Sequence, residues 1–371
     1  MLVIAERLED HKKLPVVAMS RGISNESENQ CHLTKPTRND YTVGWICALF
    51  EEQTAAIAML DQEHPDLHMP PDDSNAYTLG SIGEHNIVIA CLPAGRTGST
   101  AAAICATHMA RTFPSIKIGL MVGTGGGIPS KVKLGDVVIS SPGDQYPGVV
   151  QWDFGKAEDG GKFRRTGALN RPPSVLLRAV DKLRARNRIK GNSLLPRYLE
   201  EMGKRWPDLV PEYSEPPYSE LVGDRTPKQQ GVGDVHCGLI ASGNQVIKDA
   251  KLRDSIDESL GGKVLCVEME AAGLMNDFPC IVIRGICNYA DKKKDDEWQP
   301  YAAAVAAACA KALLDDWPLW NNSASRHTTM NGHAEEVQLL LPLNHFEDGL
   351  RQNLTWWARK SRCVEICTSE K

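Results

Sequence analysis

The stretch from Val264 to Asp291, VLCVEMEAAGLMNDFPCIVIRGICNYAD, constrains this chain most, because it holds two short apolar runs that each stop at polar or charged residues. Val264 to Val267 ends on Glu268 and Glu270, and Ile281 to Cys287 ends on Asn288 and Asp291. Short runs rich in β-branched residues predict buried strands, and open α/β folds place ligands just past the carboxyl ends of such strands. An edge strand with solvated charges is the plainer alternative. The small residues Ala271-Ala272-Gly273 after Glu270 favour packing tight enough to hold a carboxylate against a wall. The stretch is therefore expected to form the floor of a site.

The rest of the chain can support such a fold, since 371 residues with 42% hydrophobic and 24% charged content is an ordinary globular composition. The formal charge of -5, from 42 basic and 47 acidic residues, is too small and too mixed for nucleic-acid or membrane binding by bulk electrostatics. Small-molecule chemistry is the class left. The 11 cysteines are an odd number, form no CxxC pair and lie mostly in apolar runs, as do Cys47, Cys91, Cys105, Cys266, Cys280, Cys287 and Cys309. That pattern fits reduced thiols better than a disulfide framework. No apolar run reaches transmembrane length, and Glu6, Glu9 and Asp10 interrupt the core a signal peptide would need, so a cytoplasmic protein is expected.

Along the chain, residues 1–39 are polar and without periodicity, as in a mobile leader. Tyr41 to Leu49 predicts a first core strand, and Phe50-Glu51-Glu52 opens a helix through Leu60, where acidic residues complement the helix dipole. Tyr77 to Ile82 and Asn86 to Leu92 alternate around Gly83-Glu84-His85 as a hairpin would. Pro93 to Ser99 then leads into an alanine-rich helix ending near Phe113. Two readings stay open for this turn: a helix start capped by Ser99 or Thr100, or an anion site in which Arg96 assists the backbone N–H groups. Ile118 to Val122 predicts a buried strand running into a glycine loop, Gly123-Thr124-Gly125-Gly126-Gly127, open to close approach by a ligand. No Gly-Lys-Ser/Thr follows, so this is not a nucleotide-triphosphatase loop.

Leu134 to Ser140 and Gly148 to Lys156 are strand-like, and a helix is expected near Pro173 to Arg186. Residues 187–233 are rich in Pro, Glu, Lys and Arg and predict an insertion with one helix around Arg197 to Arg205, positioned to cover the site. Gly238 to Ile247 predicts a strand ending in a polar turn, followed by a helix through Leu260. A last helix is expected from Trp298 to Asp316. In the tail, residues 317–371, Asn331 to Leu341 resembles part of one ankyrin repeat, which cannot bury its own face alone. Pro65 interrupts the pair His64 and His68, and Cys363 with Cys367 lacks a second pair, so neither predicts a metal site.

VEMEAAGL followed by RGICNYAD resembles the nucleoside phosphorylase/nucleosidase family, which includes purine nucleoside phosphorylase and methylthioadenosine/S-adenosylhomocysteine nucleosidase. The similarity is closer to a fungal branch in which this domain is fused to ankyrin, tetratricopeptide or nucleotide-triphosphatase modules. Strand–helix alternation alone predicts an α/β domain over residues 40–316 with helices on both sides of a mixed sheet. The resemblance sharpens this to a three-layer α/β/α phosphorylase/nucleosidase fold.

The resemblance also implies chemistry: cleavage of the N-glycosidic bond of a purine nucleoside or nucleotide, with no cofactor. It implies that Glu270 holds the ribose hydroxyls and faces the sugar cation, with Met269 against the ribose and Glu268 beside them. Glu52 is expected to position the nucleophile with Thr124 and the glycines Gly123, Gly125 and Gly126, while Val246 and Ile247 are candidates for the purine face and edge. As plain alternatives, Glu52 is a helix-dipole residue, and Val246 and Ile247 are core. Where the nucleosidases place an Asp after RGIC, this chain has Asn288, which can donate a hydrogen bond but has no proton to transfer. Asp291 lies three residues on as a possible substitute. Leu120-Met121-Val122 stands where many phosphorylases carry an arginine, which favours water over phosphate, although Arg96 or an arginine from another subunit of a homo-oligomer would restore a phosphate site. A purine-sensing module of a signalling or immune-type receptor is the non-enzymatic alternative.

Overall fold

The computed structural model describes residues 36–191, 194–217, 232–292 and 296–315. The leader up to residue 35, the middle of the insertion, the ankyrin-like segment and the pair Cys363 and Cys367 lie outside the described residues. Among the described residues the strands are β1 (Val43–Cys47), β2 (Gln62–Glu63), β3 (Tyr77–Ile82), β4 (His85–Cys91), β5 (Ile118–Gly127), β6 (Val137–Ser140), β7 (Val149–Gln151), β8 (Gly155–Glu158), β9 (Lys162–Arg165), β10 (Val235–Ser242), β11 (Val264–Glu268) and β12 (Cys280–Asn288). The helices are α1 (Phe50–Ala58), α2 (Ser99–Thr112), α3 (Ser174–Lys190), α4 (Leu194–Arg205), α5 (Val210–Tyr213), α6 (Ala250–Ser259) and α7 (Gln299–Asp315).

One mixed sheet runs in the order β11-β10-β6-β12-β5-β1-β4-β3-β2, with β7 on β10. Period-two alternation sorts its side chains onto two faces. Val43, Trp45, Ile118, Leu120, Ile281 and Ile283 pack on one side with α1, α3, α4 and α7. Ile46, Met121, Val282 and Ile286 pack on the other with α2 and with Leu274 to Phe278. Helix α7 is buried almost all round, which its alanines permit. A Cβ on Gly285 of β12 would lie 2.0 Å from the Ala302 carbonyl oxygen, so glycine lets the helix backbone rest directly on the strand.

The glycine run departs from the expected loop. Gly123 to Gly127 continues β5 and pairs with β12, Arg284 opposite Gly123 and Gly285 opposite Thr124. It pairs again, antiparallel, with β11 through Gly126 and Gly127. The circuit β5-β12-β6-β10-β11-β5 therefore closes on itself. Glycine is required because neighbouring side chains fill the space: a Cβ on Gly123 would meet Glu52 Oε1 at 2.3 Å, and one on Gly127 would meet Val132 Cγ2 at 2.6 Å.

Other expectations shift in detail. The N-cap of α2 is Gly98, at φ 95°, rather than Ser99 or Thr100. Gly148 to Lys156 is divided between β7 and the separate hairpin β8-β9, whose turn holds Gly160 and Gly161 at positive φ. The described part of the insertion does not cover the site: Leu195, Tyr198, Met202 and Tyr213 join the core beneath α7. That burial follows from an apolar stripe on α4, which needs a hydrophobic partner. Among the described residues no helix is long and apolar enough to cross a membrane.

Candidate active site

A cleft of 180 Å³ opens past the carboxyl ends of β1, β5, β10, β11 and β12. Its wall includes Glu52, Thr124, Gly125, Gly126, Val246, Ile247, Glu268, Met269, Glu270 and Asn288, all of them residues picked out by the sequence. Gly123 lies just beneath, under the Glu52 carboxylate. A larger cavity of 440 Å³ lies elsewhere, between Tyr146, Phe154 and Leu169, but Arg165 is its one charged wall residue. Acid–base chemistry needs the clustered carboxylates of the smaller cleft.

Glu52 sits in the first turn of α1, where a glutamate reaches back to the helix start. Its Oε2 accepts from the N–H groups of Ala48 at 2.7 Å and Leu49 at 3.2 Å. Its Oε1 accepts from the Thr124 N–H at 2.8 Å and from the Thr124 hydroxyl at 3.3 Å. The helix-start role and a place in the cleft are thus combined in one side chain.

Glu268 ends β11 and folds back onto the next turn, accepting from the N–H groups of Glu270 at 3.0 Å and Ala271 at 3.0 Å. It also accepts from Arg284 Nη2, so its oxygens are engaged within the protein even though it borders the cleft. Glu270 Oε1 accepts from the Gly98 N–H at 3.0 Å, and Oε2 lies 3.4 Å from Arg284 Nη2.

Arg284 was not singled out by sequence and is the residue that organises this charge. It is fully buried on β12, in register with Gly123. Its Nη1 and the Glu52 carboxylate converge over that glycine, where a Cβ would meet Nη1 at 2.5 Å. A signal was present: one arginine in the apolar run Ile281 to Cys287 has to find carboxylates once the strand is buried. Three carboxylates therefore surround one guanidinium, leaving the cluster with excess negative charge.

The pKa directions follow from that arrangement. Burial pushes Glu270 up to about 7; the Arg284 charge and the Gly98 N–H oppose the rise, while Glu268 and Glu52 add to it. Burial likewise raises Glu52, against the pull of Arg284 and of the three backbone N–H groups. The guanidinium stays firmly protonated, since the three carboxylates outweigh its own loss of hydration.

Asn288 closes β12, with Oδ1 accepting from the Ala290 N–H at 2.9 Å and Nδ2 lying 3.1 Å from Cys287 Sγ. Ala290 adopts φ 51°, which turns the chain sharply, and Asp291 does not line the cleft. Arg96 is likewise outside it, exposed on the turn after β4, while the adjacent Thr97 borders the opening. Nothing in the sequence marked Gln245, Cys287 and Gln299, which line the wall together with Ala48, Leu49, Thr97, Val267 and Ala290. Among the described residues no group of His, Cys, Asp and Glu is arranged to hold a metal ion.

A mixed α/β sheet thus gathers buried carboxylates around one arginine at its strand ends. Residues 43–315 match the phosphorylase superfamily, and the chain belongs to that superfamily. It is 49% identical over 311 residues to a nucleotide-binding leucine-rich repeat (NLR)-like protein of Hyaloscypha variabilis, covering 79% of this chain and 31% of that protein. It is 28% identical to the ATP nucleosidase Cap17 of Escherichia coli, over 57% of this chain and 38% of that one. The chain thus spans only 31% and 38% of the length of these two curated relatives. Its fold is that of the phosphorylase/nucleosidase structures: 5'-methylthioadenosine/S-adenosylhomocysteine nucleosidase from Neisseria meningitidis, in complex with methylthio-immucillin-A, superposes with a TM-score of 0.52 at 20% identity, covering 74% of this chain and 98% of that one.

Proposed function

We propose that this chain hydrolyses the N-glycosidic bond of a purine nucleoside or nucleotide. The observation that carries the proposal is the buried cluster of Glu52, Glu268 and Glu270 around Arg284. As a glycosidic bond breaks, positive charge grows on the sugar, and preorganised negative charge stabilises it most in a dry site. Glu270, with its exposed edge on the cleft, is placed to hold the sugar hydroxyls, with Met269 beside them. Glu52, held by three backbone N–H groups, is placed to orient a water and take its proton. Val246, Ile247 and Ala290 offer an apolar wall for a flat base, with the Asn288 amide at its edge.

The same charge count favours water over phosphate. Three carboxylates against one guanidinium repel an incoming anion, and Arg96 lies outside the cleft. The likeness to an ATP nucleosidase supports including nucleoside triphosphates among the substrates. Asn288 supports the second possibility, a purine-sensing module, because an amide cannot protonate a leaving base.

The deciding experiment incubates the protein with adenosine, inosine, ATP and 5'-methylthioadenosine, with and without phosphate. Free base together with free sugar or sugar phosphate, independent of added phosphate, is expected. Ribose 1-phosphate would indicate phosphorolysis instead. Thermal stabilisation by a purine ligand without base release would favour the sensor.

A further inference from the structure

Helix α2 begins without a side-chain cap of its own, since its N-cap is Gly98. The acceptor comes from far along the chain. Asn244 Oδ1, in the turn after β10, accepts from the Ser99 N–H at 3.0 Å and from the Ser99 hydroxyl at 2.7 Å. Asn244 is itself held by Asp153, whose Oδ2 accepts from the Asn244 backbone N–H at 2.7 Å and from Nδ2 at 3.3 Å. Only one orientation of the amide satisfies both neighbours, because Ser99 supplies donors and Asp153 supplies acceptors. Gln151 Nε2 fixes the other Asp153 oxygen at 3.0 Å.

This chain of bonds leads to the cleft. Gly98 precedes Ser99, and its N–H is the one that donates to Glu270 Oε1 at 3.0 Å. A Cβ at Gly98 would stand 3.1 Å from Asn244 Oδ1, so the two segments are packed as closely as glycine allows. The residues after Asn244, namely Gln245, Val246 and Ile247, line the same cleft as Glu270. One turn therefore both borders the ligand space and holds the loop that touches Glu270.

Building on the hydrolase proposed above, we infer that Asn244 is a positioning residue: by capping α2 from this turn it keeps the Gly98 N–H on the Glu270 carboxylate, while Asp153 fixes the amide's orientation. The groups facing Glu270 are Arg284 from β12, Glu268 from β11, Glu52 from α1 and the Gly98 N–H. Of these, only the Gly98 N–H depends on Asn244. Losing it removes a donor that favours the ionised carboxylate, so Glu270 would titrate at higher pH. A cap that merely stabilised the helix would leave that titration unmoved.

The test compares wild type, Asn244→Ala, Asp153→Ala and the double variant carrying both, because Asp153, whose Oδ2 holds both the backbone N–H and Nδ2 of Asn244, acts on Glu270 only through that amide. Each is followed by steady-state kinetics across pH and by carbon-13 NMR titration of the Glu270 carboxyl. Asn244→Ala is expected to lower kcat by about tenfold to a hundredfold with KM little changed. It also moves the acidic limb of the kcat profile, and the NMR midpoint, to higher pH. Asp153→Ala moves both in the same direction, and the double variant goes no further than Asn244→Ala. An unchanged kcat and acidic limb in Asn244→Ala overturns the inference, as does a double variant in which the effects of the two single substitutions add in full. If wild type releases no base from any purine substrate, the hydrolase proposal fails by itself. The NMR titration then still decides: an unmoved Glu270 midpoint overturns the positioning role, and an upward move sustains it. Asp153→Ala, which frees the amide to turn, takes the place of Asn244→Ala if that variant does not fold, with the same readouts.

Discussion

With Arg284 in place, Glu52, Glu268 and Glu270 share one buried cation; without it, only backbone N–H groups oppose the negative charge left in the core. Breaking a buried ion pair by removing one partner costs about 3–5 kcal/mol. Arg284→Met is expected to destabilise by that order in urea unfolding near pH 8, and by less near pH 5, where the carboxylates can take up protons; the same loss at both pH values would contradict this account of the charge. Asn288 supports a different expectation. Its Oδ1 is held by the Ala290 N–H, so the side chain already occupies the place a carboxylate would take. Asn288→Asp is expected to raise cleavage of 6-aminopurine substrates within the range of about 10²–10⁴ typical of general acids, and to raise it less for 6-oxopurines. Base release assayed on both classes checks it. The carboxylates and Asn288 were legible because they sit at the ends of apolar runs, where polarity is conspicuous. Arg284 was overlooked because its significance lies in partners that only the fold brings to it.

At the scale of elements, β5 carries the largest departure from the sequence. Five residues that glycine content marks as a loop are strand, because pairing with β12 and β11 satisfies the backbone where local propensity does not. Glycine content reported a true constraint, the need for space, but not its cause: the crowding comes from Glu52, Arg284 and Val132. Gly123→Ala is therefore expected to push the Glu52 and Arg284 side chains apart, lowering kcat at least about tenfold and lowering the melting temperature. Gly143→Ala, at a position where a Cβ meets nothing within 4 Å, is the control and should leave both unchanged. Equal effects of the two substitutions would refute the crowding explanation. Helices α1, α2, α6 and α7 were legible from composition and spacing, whereas the hairpin β8-β9 was not, its residues being exposed and without alternation.

For the whole molecule, the raised pKa of Glu270 links turnover and stability with opposite signs. Its value of about 7 lies above the ordinary 4.5, so between these the folded protein holds a proton that the unfolded chain has released. The stability contributed by that proton is fully present below about pH 4.5 and is lost as pH rises through about 7. Facing a sugar cation requires the ionised carboxylate, so kcat is expected to climb over the same interval in which this contribution fades. Glu270→Gln should abolish turnover and flatten that part of the stability profile, as measured by melting temperature against pH; a profile that keeps its full slope in the variant would place the titration elsewhere. The two-faced sheet could be anticipated from the alternation of strands and helices, and from the continuously apolar runs of β1, β5 and β12, which need cover on both faces. Its closure through β11 and β5 could not, because no local pattern announces a pairing between strands more than a hundred residues apart.

That closure has a consequence for how the protein comes together. The pairing of Val267 with Gly126 joins the two segments that carry Glu268, Glu270 and Thr124, so the cleft exists only once distant parts of the chain have met. Loop-closure entropy makes such contacts late and slow to form. The amides of Gly126 and Val267 are then expected to exchange with solvent through partial opening at a lower free energy than those of β1, in the central part of the sheet. A weakened variant would lose its active architecture while most of its helices and its inner strands still stood, so that helix content is a poor proxy for a competent molecule and ligand binding a faithful one.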